Sequence, residues 1–193
     1  YRMAPPVFPQ RYRRKYSQFE EVDKATEIKH PLLREAIVRH WRGAPLEIAS
    51  VADVPAGTGM GSSGAFTVAL LKALALARRV SVTPQALAEQ ACEIEIDILG
   101  EPVGKQDQYV AAHGGICTYT FHKDDTVTVE PLELSERTLC ELRNNLLLFY
   151  TGEARSASAI LADQVARTKN GDDDMLDNLH RTKEMGYQSA ALL

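Results

Sequence analysis

The chain has 193 residues, of which 45% are hydrophobic and 25% charged, and its formal net charge is −4 at pH 7. This composition is typical of a soluble globular protein that can bury one core and part of another, and the absence of a long basic patch argues against nucleic acid as a partner. We find neither a signal-peptide pattern nor an apolar stretch long enough to span a bilayer, so we expect a cytoplasmic protein without a membrane partner.

Hydrophobic periodicity and the Gly, Pro and N-cap signals predict a mixture of helices and strands. In chain order we expect a short strand at 13–17, a turn of helix at 22–27, a helix from 31 that Gly43 ends, a strand at 46–54, a buried helix to about 79, a helix at 83–99, a short helix after 107, a hairpin at 116–121 and 126–132, a helix at 134–143, a buried strand at 146–150, and helices at 154–169 and 175–193.

Three glycines at alternate positions form the most informative stretch. Gly57, Gly59 and Gly61 are followed by two serines and a long apolar run. Such glycines let backbone N–H groups approach an anion, and the N-terminus of the following helix favours negative charge. The stretch therefore predicts a phosphate site, with Ser62 or Ser63 as the N-cap of the helix.

Known phosphate loops differ in how well they fit this stretch. A P-loop is excluded because no lysine precedes Ser62. Gly59-x-Gly61-x-x-Gly64 matches the dinucleotide fingerprint, and two arginines follow the helix where a 2′-phosphate could be bound. That interpretation is disfavoured because residues 53–58, which include a proline, separate the loop from its strand. A Gly/Ser-rich turn without a ligand is the remaining alternative.

Glu95 lies in an unusual place on the predicted helix at 83–99. At 3.6 residues per turn it falls between the row of Ala91 and Ile98 and the row of Ala88 and Leu99. A carboxylate inside an apolar arc is unfavourable unless a cation or several donors meet it. A structural hydrogen bond and a metal ion are both compatible with this position.

The loop at 100–109 is the second informative stretch. Its proline and two glycines fix a tight path that ends at Asp107, just before a short apolar helix. On the residues alone, a helix cap and a catalytic carboxylate are equally compatible with Asp107.

Both stretches resemble one known family. Pro55-x-x-x-Gly59-Met60-Gly61-Ser62-Ser63 resembles the second signature motif of the GHMP kinases, Pro-x-x-x-Gly-Leu-Gly-Ser-Ser, with a tolerated Met for Leu. The loop that carries Asp107, followed by Gly114-Gly115, resembles the segment with the catalytic aspartate in members that form sugar 1-phosphates. Further similar pieces lie at 16–17, 28–31 and 150–157, so the resemblance covers nearly all of residues 11 to 190.

The resemblance implies an ATP- and Mg²⁺-dependent kinase with assigned residues. ATP phosphates would be held by Pro55, Gly57, Thr58, Gly59, Met60, Gly61, Ser62 and Ser63. Ser63 and Glu95 would bind Mg²⁺, and Asp107 would be the base or the orienting group for the sugar hydroxyl. Lys105 would stabilise Asp107 or contact the γ-phosphate, with a solvated lysine as the alternative. Substrate contacts would come from Gly104, Gln106, Thr151, Gly152 and Arg155, of which Arg155 could equally be an exposed arginine.

The implied substrate is a small sugar phosphate. The similarity is greatest to members that phosphorylate the anomeric hydroxyl of D-glycero-D-manno-heptose 7-phosphate to the 1,7-bisphosphate. A fucokinase-like or other sugar kinase of the same fold is an alternative, and so is a catalytically inactive homologue that binds sugar or nucleotide. A homodimer is compatible with the sequence.

The family also implies a two-domain α+β fold. Residues 1–143 would form the ATP-binding domain, which resembles the second domain of ribosomal protein S5, and residues 144–193 would begin a ferredoxin-like domain. The N-terminal and the glycine-rich C-terminal motifs of the family are not found in the sequence, which starts at Tyr1 rather than Met. We therefore expect the chain to be part of a longer protein.

Overall fold

The computed structural model describes residues 2–4, 12–15, 19–52, 59–149 and 157–192. It is α+β, as predicted, and it divides into two compact units, Tyr1–His113 and Gly114–Leu193. The domain boundary expected after residue 143 stays a prediction.

The first unit contains a four-stranded mixed sheet. Its strands are β1 (Arg2–Ala4), β2 (Tyr12–Lys15), β3 (Phe19–Val22) and β4 (Glu47–Ala49), in the spatial order β1-β4-β2-β3. β4 pairs antiparallel with β1 and parallel with β2, and β2 pairs antiparallel with β3. The predicted strands at 13–17 and 46–54 correspond to β2 and β4, whereas β1 and β3 were not predicted. Strands of three or four residues are too short to show a clear alternation of apolar and polar positions.

Helices make up the rest of the first unit. They are a 3₁₀-helix (Ala25–Glu27), α1 (Pro31–His40), α2 (Ser62–Ala77), α3 (Pro84–Cys92), a π-helix (Glu93–Ile98) and α4 (Gln106–His113). Two starts follow the predicted signals. Pro31 occupies the first turn of α1. At α3 the backbone N–H of Ala86 donates to Thr83 Oγ1 at 3.2 Å, so Thr83 is the predicted N-cap.

The expected serine cap of α2 is wrong. The N-cap residue is Gly61, with φ 65° and ψ 28°, and no side chain caps the helix; Ser62 and Ser63 are its first two helical residues. The left-handed region at the N-cap favours glycine, so the chain enters α2 through Gly61 and the serines are shifted into the first turn.

The core of the first unit joins the sheet to the helices. Leu33 and Ile37 of α1, Leu70 and Leu74 of α2, and Ile94 are at most 1% exposed. They belong to one cluster that also contains Ile48 of β4. Burial of this apolar surface holds α2 against α1 and α3 and fixes where the N-terminus of α2 lies.

The predicted helix at 83–99 changes type at its end. From Glu93 to Ile98 the chain forms a π-helix, in which the Leu99 N–H donates to the Ile94 carbonyl oxygen, five residues back, at 3.1 Å. Short π segments frequently occur at functional sites. The 3.6-residue period used to place Glu95 is therefore only approximate at that residue.

The second unit begins with a hairpin and continues as helices. β5 (Cys117–Phe121) and β6 (Val127–Pro131) pair antiparallel as predicted, with Tyr119 opposite Val129. The helices are α5 (Glu136–Asn145), α6 (Ala157–Lys169) and α7 (Asp173–Leu192). The predicted first residues of α6 are outside the described part of the chain.

The predicted buried strand at 146–150 is wrong for the four residues that the structure describes. Leu146, Leu147, Leu148 and Phe149 have no regular secondary structure, and their side chains are 66–81% exposed. A strand needs a neighbour for its backbone groups, and no described strand pairs with this segment. Its apolar composition alone was not sufficient for the prediction.

Among the described helices there is no membrane span, because none of them is both long enough and apolar enough to cross a bilayer.

Candidate functional site

The predicted site residues that the structure describes all fall in the first unit. They are Gly59, Met60, Gly61, Ser62, Ser63, Glu95, Gly104, Lys105, Gln106 and Asp107. Pro55, Gly57, Thr58, Thr151, Gly152 and Arg155 lie outside the described residues.

The start of α2 has the features of an anion site. Gly59 and Gly61 have positive φ angles of 73° and 65°, which favour glycine. Because no side chain caps α2, the first N–H groups of the helix have no side-chain partner at the cap. The helix dipole adds partial positive charge at the same end. Ser62 and Ser63 place two hydroxyls in this first turn.

Asp107 lies directly against the same turn. It is exposed and belongs to the first turn of α4, so it is not the cap that precedes the helix. A Cβ on Gly61 would be 3.0 Å from Asp107 Cγ and 3.2 Å from its Oδ2, and a Cβ on Gly64 would be 3.0 Å from Asp107 Cβ. The N-cap glycine of α2 and a glycine in its first turn therefore make room for the aspartate at the N-terminus of that helix.

Glu95 approaches the same turn from the π-helix. It is only 1% exposed, and the polar side chains of Ser63, Gln108 and Thr67 neighbour its carboxylate. Burial raises the pKa of Glu95; these three neighbours oppose the rise, and the negative charge of Asp107 adds to it. Glu95 Oε1 is buried without a hydrogen-bond partner in the part of the chain that the structure describes.

This geometry fits a divalent cation. A buried carboxylate oxygen without a donor is unfavourable, and a cation beside it would remove that penalty. Ser63, whose hydroxyl neighbours Glu95, supplies a second oxygen. Among the described residues, no three His, Cys, Asp or Glu side chains form a metal cluster. Mg²⁺ does not need such a cluster, because it is usually bound by one or two protein carboxylates together with phosphates and water.

Lys105 directly precedes α4. Its carbonyl oxygen accepts the N–H of Tyr109 at the start of α4. Burial raises the pKa of Cys92 to about 12, and the positive charge of Lys105 opposes that rise, which places the lysine near Cys92. Gln106 is the exposed first residue of α4, and Gly104 has no atom within 4 Å of its would-be Cβ. Roles in substrate binding for these residues stay predictions.

Gln108, Thr67 and Gly64 also belong to the site, although no motif in the sequence indicated a role for them there. The position of Glu95 in an apolar arc indicated that donors or a cation must be near, but not which residues supply them. Gly64 appeared only as part of the disfavoured dinucleotide pattern. In the structure it brings α2 and α4 together, because its would-be Cβ is 3.1 Å from Gln108 N.

Comparisons with known proteins point to one family. The family described as GHMP kinases N terminal domain matches residues 27–115. The D-glycero-alpha-D-manno-heptose 7-phosphate kinase of Campylobacter jejuni is 32% identical over 150 residues, which is 77% of this chain and 44% of that protein. The bifunctional fucokinase/GDP-fucose pyrophosphorylase of Arabidopsis thaliana is 29% identical over 171 residues, 86% of this chain and 16% of that protein.

A solved structure supports the same relationship. The crystal structure of a D-glycero-D-manno-heptose 1-phosphate kinase from Bacteroides thetaiotaomicron matches with a TM-score of 0.65 at 25% identity, over 72% of this chain and 49% of that one. The chain thus spans less than half the length of these relatives.

Proposed function

Because this chain belongs to the GHMP kinase family, we propose that it forms the ATP-binding part of a sugar kinase that phosphorylates an anomeric hydroxyl. One observation carries the proposal: buried Glu95, with an unpartnered oxygen beside Ser63, and exposed Asp107 meet at the uncapped N-terminus of α2. Phosphoryl transfer needs phosphate binding, a cation on oxygen ligands and a group for the alcohol proton, and these residues can supply all three.

The proposed site residues divide the chemistry between them. The N–H groups at the start of α2, together with the glycine stretch from Pro55 to Gly61, bind the ATP phosphates. Glu95 and Ser63 would hold Mg²⁺, which would supply neutralisation of the charge on the transferred phosphoryl group. Asp107 orients the sugar hydroxyl and accepts its proton. The anomeric oxygen forms a bond to the γ-phosphorus, the bond from that phosphorus to the bridging oxygen breaks, and ADP leaves.

The proposed substrate is D-glycero-D-manno-heptose 7-phosphate, with the 1,7-bisphosphate as product. Two relatives carry heptose phosphates in their names, although one is named for the 7-phosphate and the other for the 1-phosphate. The match to the fucokinase covers a larger share of this chain and favours fucose as the second candidate. The proposed contacts to the sugar come from Gly104, Gln106, Thr151, Gly152 and Arg155, with Lys105 near the γ-phosphate.

A substrate panel tests the proposal. The full-length gene product is incubated with ATP, Mg²⁺ and either heptose 7-phosphate, fucose, galactose or mevalonate, and ADP release is followed with a coupled assay. We expect turnover with heptose 7-phosphate and a kcat/KM for it that exceeds the others at least tenfold. Turnover with fucose alone would support the second candidate, and no turnover with any sugar would refute the kinase proposal.

A matched pair of variants tests the role of Asp107. We expect Asp107→Asn to lower kcat by about 10²–10⁴-fold, the usual contribution of a positioned acid or base. Its Tm should change little because the side chain is exposed. Asp177→Asn, on the exposed surface of α7, should leave kcat unchanged. Equal activity of Asp107→Asn and wild type would mean that another group accepts the proton.

The expected domains remain part of the proposal. Residues 1–143 would form the domain that resembles ribosomal protein S5 domain 2, and residues 144–193 would begin the ferredoxin-like domain. Limited proteolysis of the full-length product should then cut near residue 143. Cleavage confined to the region of residue 113 would favour the boundary between the two compact units instead.

A further inference from the structure

Gln108 is a buried polar residue for which the proposed mechanism has no role. It lies in the first turn of α4, directly after Asp107, and is 1% exposed. The Asp107 side chain is exposed and lies against the N-terminus of α2. The Gln108 side chain is instead turned inward, where it neighbours the Glu95 carboxylate. Its Oε1 is buried and has no hydrogen-bond partner among the residues that the structure describes.

The donors around Glu95 are few. Thr67 has one hydroxyl proton, and it is donated to the Ser63 carbonyl oxygen at 2.9 Å. Ser63 is exposed, and its hydroxyl is a proposed metal ligand. The side-chain amide of Gln108 has two N–H donors and is fully buried. Of the three side chains around the carboxylate, Gln108 is therefore the buried one whose N–H groups can fix its position, since Thr67 donates elsewhere and Ser63 is exposed.

Two acceptors remain unpaired in the same place. Glu95 Oε1 and Gln108 Oε1 both lack donors within the described part of the chain. Buried acceptors are rarely left unsatisfied. A hydrated divalent cation would satisfy both, since the cation can bind a carboxylate and its water molecules can donate to an amide oxygen.

We propose that Gln108 is a positioning residue for the metal site, whose amide N–H groups hold the Glu95 carboxylate and whose Oε1 accepts a hydrogen bond from the water around the cation. This inference rests on the proposed function and adds a role for a residue outside the reacting groups.

Mn²⁺ binding tests the inference without activity. Free Mn²⁺ is measured by electron paramagnetic resonance with the full-length protein and a non-hydrolysable ATP analogue. Gln108→Met keeps the side-chain volume and removes the donors and the acceptor. We expect Mn²⁺ affinity to fall about 10- to 100-fold, the usual effect of losing a group that orients a ligand. The Tm of the ligand-free protein should change little, because removal of an unpaired buried oxygen offsets the loss of the N–H donors to Glu95.

Gln85→Met is the matched control. The Gln85 side-chain amide joins α3 to α4 by donating to the Tyr109 hydroxyl at 3.2 Å, and it also donates to Glu89 of its own helix at 2.7 Å. Its loss should lower the Tm and leave Mn²⁺ affinity unchanged within twofold. A purely structural role for Gln108 would give this same pattern and would overturn the inference.

A second variant keeps the test decisive. If Gln108→Met does not fold, Gln108→Asn retains the amide on a shorter side chain and should weaken Mn²⁺ binding similarly. Unfolding of both variants would make Gln108 a structural residue and contradict the inference. If the wild-type protein does not bind Mn²⁺ in the presence of the nucleotide analogue, the proposed function itself is refuted. If the wild-type protein and the Gln108 variants all bind Mn²⁺ equally well, only the role of Gln108 is refuted.

Discussion

The contact between α2 and α4 at Gly64 can be tested with one methyl group. In Gly64→Ala the new Cβ would lie 3.0 Å from Asp107 Cβ and 3.1 Å from both the Asp107 carbonyl carbon and Gln108 N, where ordinary contacts begin at 3.4 Å. Two of these atoms are backbone, so the first turn of α4 must move by about 0.4 Å. Alanine gains about 1 kcal/mol of helix propensity. Overpacking costs about 1–3 kcal/mol, so we expect a net destabilisation of about 0–2 kcal/mol.

The same shift should impair catalysis. A misplacement of about 1 Å can cost roughly 10²-fold in rate, so a movement of this size should lower kcat roughly five- to tenfold. Gly186→Ala is the matched control, since Gly186 is also a helical glycine and has nothing within 4 Å of its would-be Cβ. Denaturant unfolding and ADP release are measured for both variants. The control should be stabilised by up to about 1 kcal/mol and remain fully active. If Gly64→Ala behaved like Gly186→Ala in both measurements, the close approach of α4 to α2 would be refuted.

Three further predictions concern single side chains. Burial raises the pKa of Glu95, so stability that is present below its ordinary pKa of about 4.3 is lost as the pH rises through the folded value. Glu95→Gln should therefore raise the Tm of the ligand-free protein at pH 7 but not at pH 4 in differential scanning fluorimetry, and a lower Tm at pH 7 would contradict this. Burial raises the pKa of Cys92 to about 12. A disulfide reagent at pH 8 should therefore modify exposed Cys140 first and Cys92 only when the protein unfolds, and peptide mass spectrometry follows both reactions. Comparable rates at both thiols would exclude such burial. Met60→Leu should leave the KM for ATP unchanged within twofold, because Met60 is half exposed and the change conserves volume; a larger change would assign Met60 a specific contact.

Signals that act over a few residues predicted much of the fold. Pro31 and Thr83 marked helix starts that the structure contains, because their effect depends on the adjacent backbone alone. Gly61 was recognised as part of a turn, but its role as the N-cap depends on the angle at which the chain enters α2. The segment 146–149 could not be predicted in this way. Its apolar composition does not reveal whether a strand is available to pair with it.

The candidate site was predictable in part. Periodicity placed Glu95 in an apolar arc, and the residue is indeed buried. The family resemblance brought Asp107 and Ser63 together with it, and the structure places all three at the start of α2. The contributions of Gln108 and Gly64 could not be predicted, because they depend on the distance between two helices that lie about forty residues apart in the chain.

The π-helix fixes the phase between the two acidic residues of the site. A π turn holds one more residue than the α turn that it replaces, so deletion of a single residue between 93 and 98 would restore a regular helix. The deletion would leave the downstream chain in nearly the same phase relative to α3, because a π turn and an α turn each complete one turn, but it would change the direction in which Glu95 projects. The Glu95 side chain would then no longer face the turn against which Asp107 lies. The helix would be more regular, but the two carboxylates would no longer meet at the same site. Insertions and deletions in these six residues should therefore be far less tolerated than in the exposed loop at 122–126.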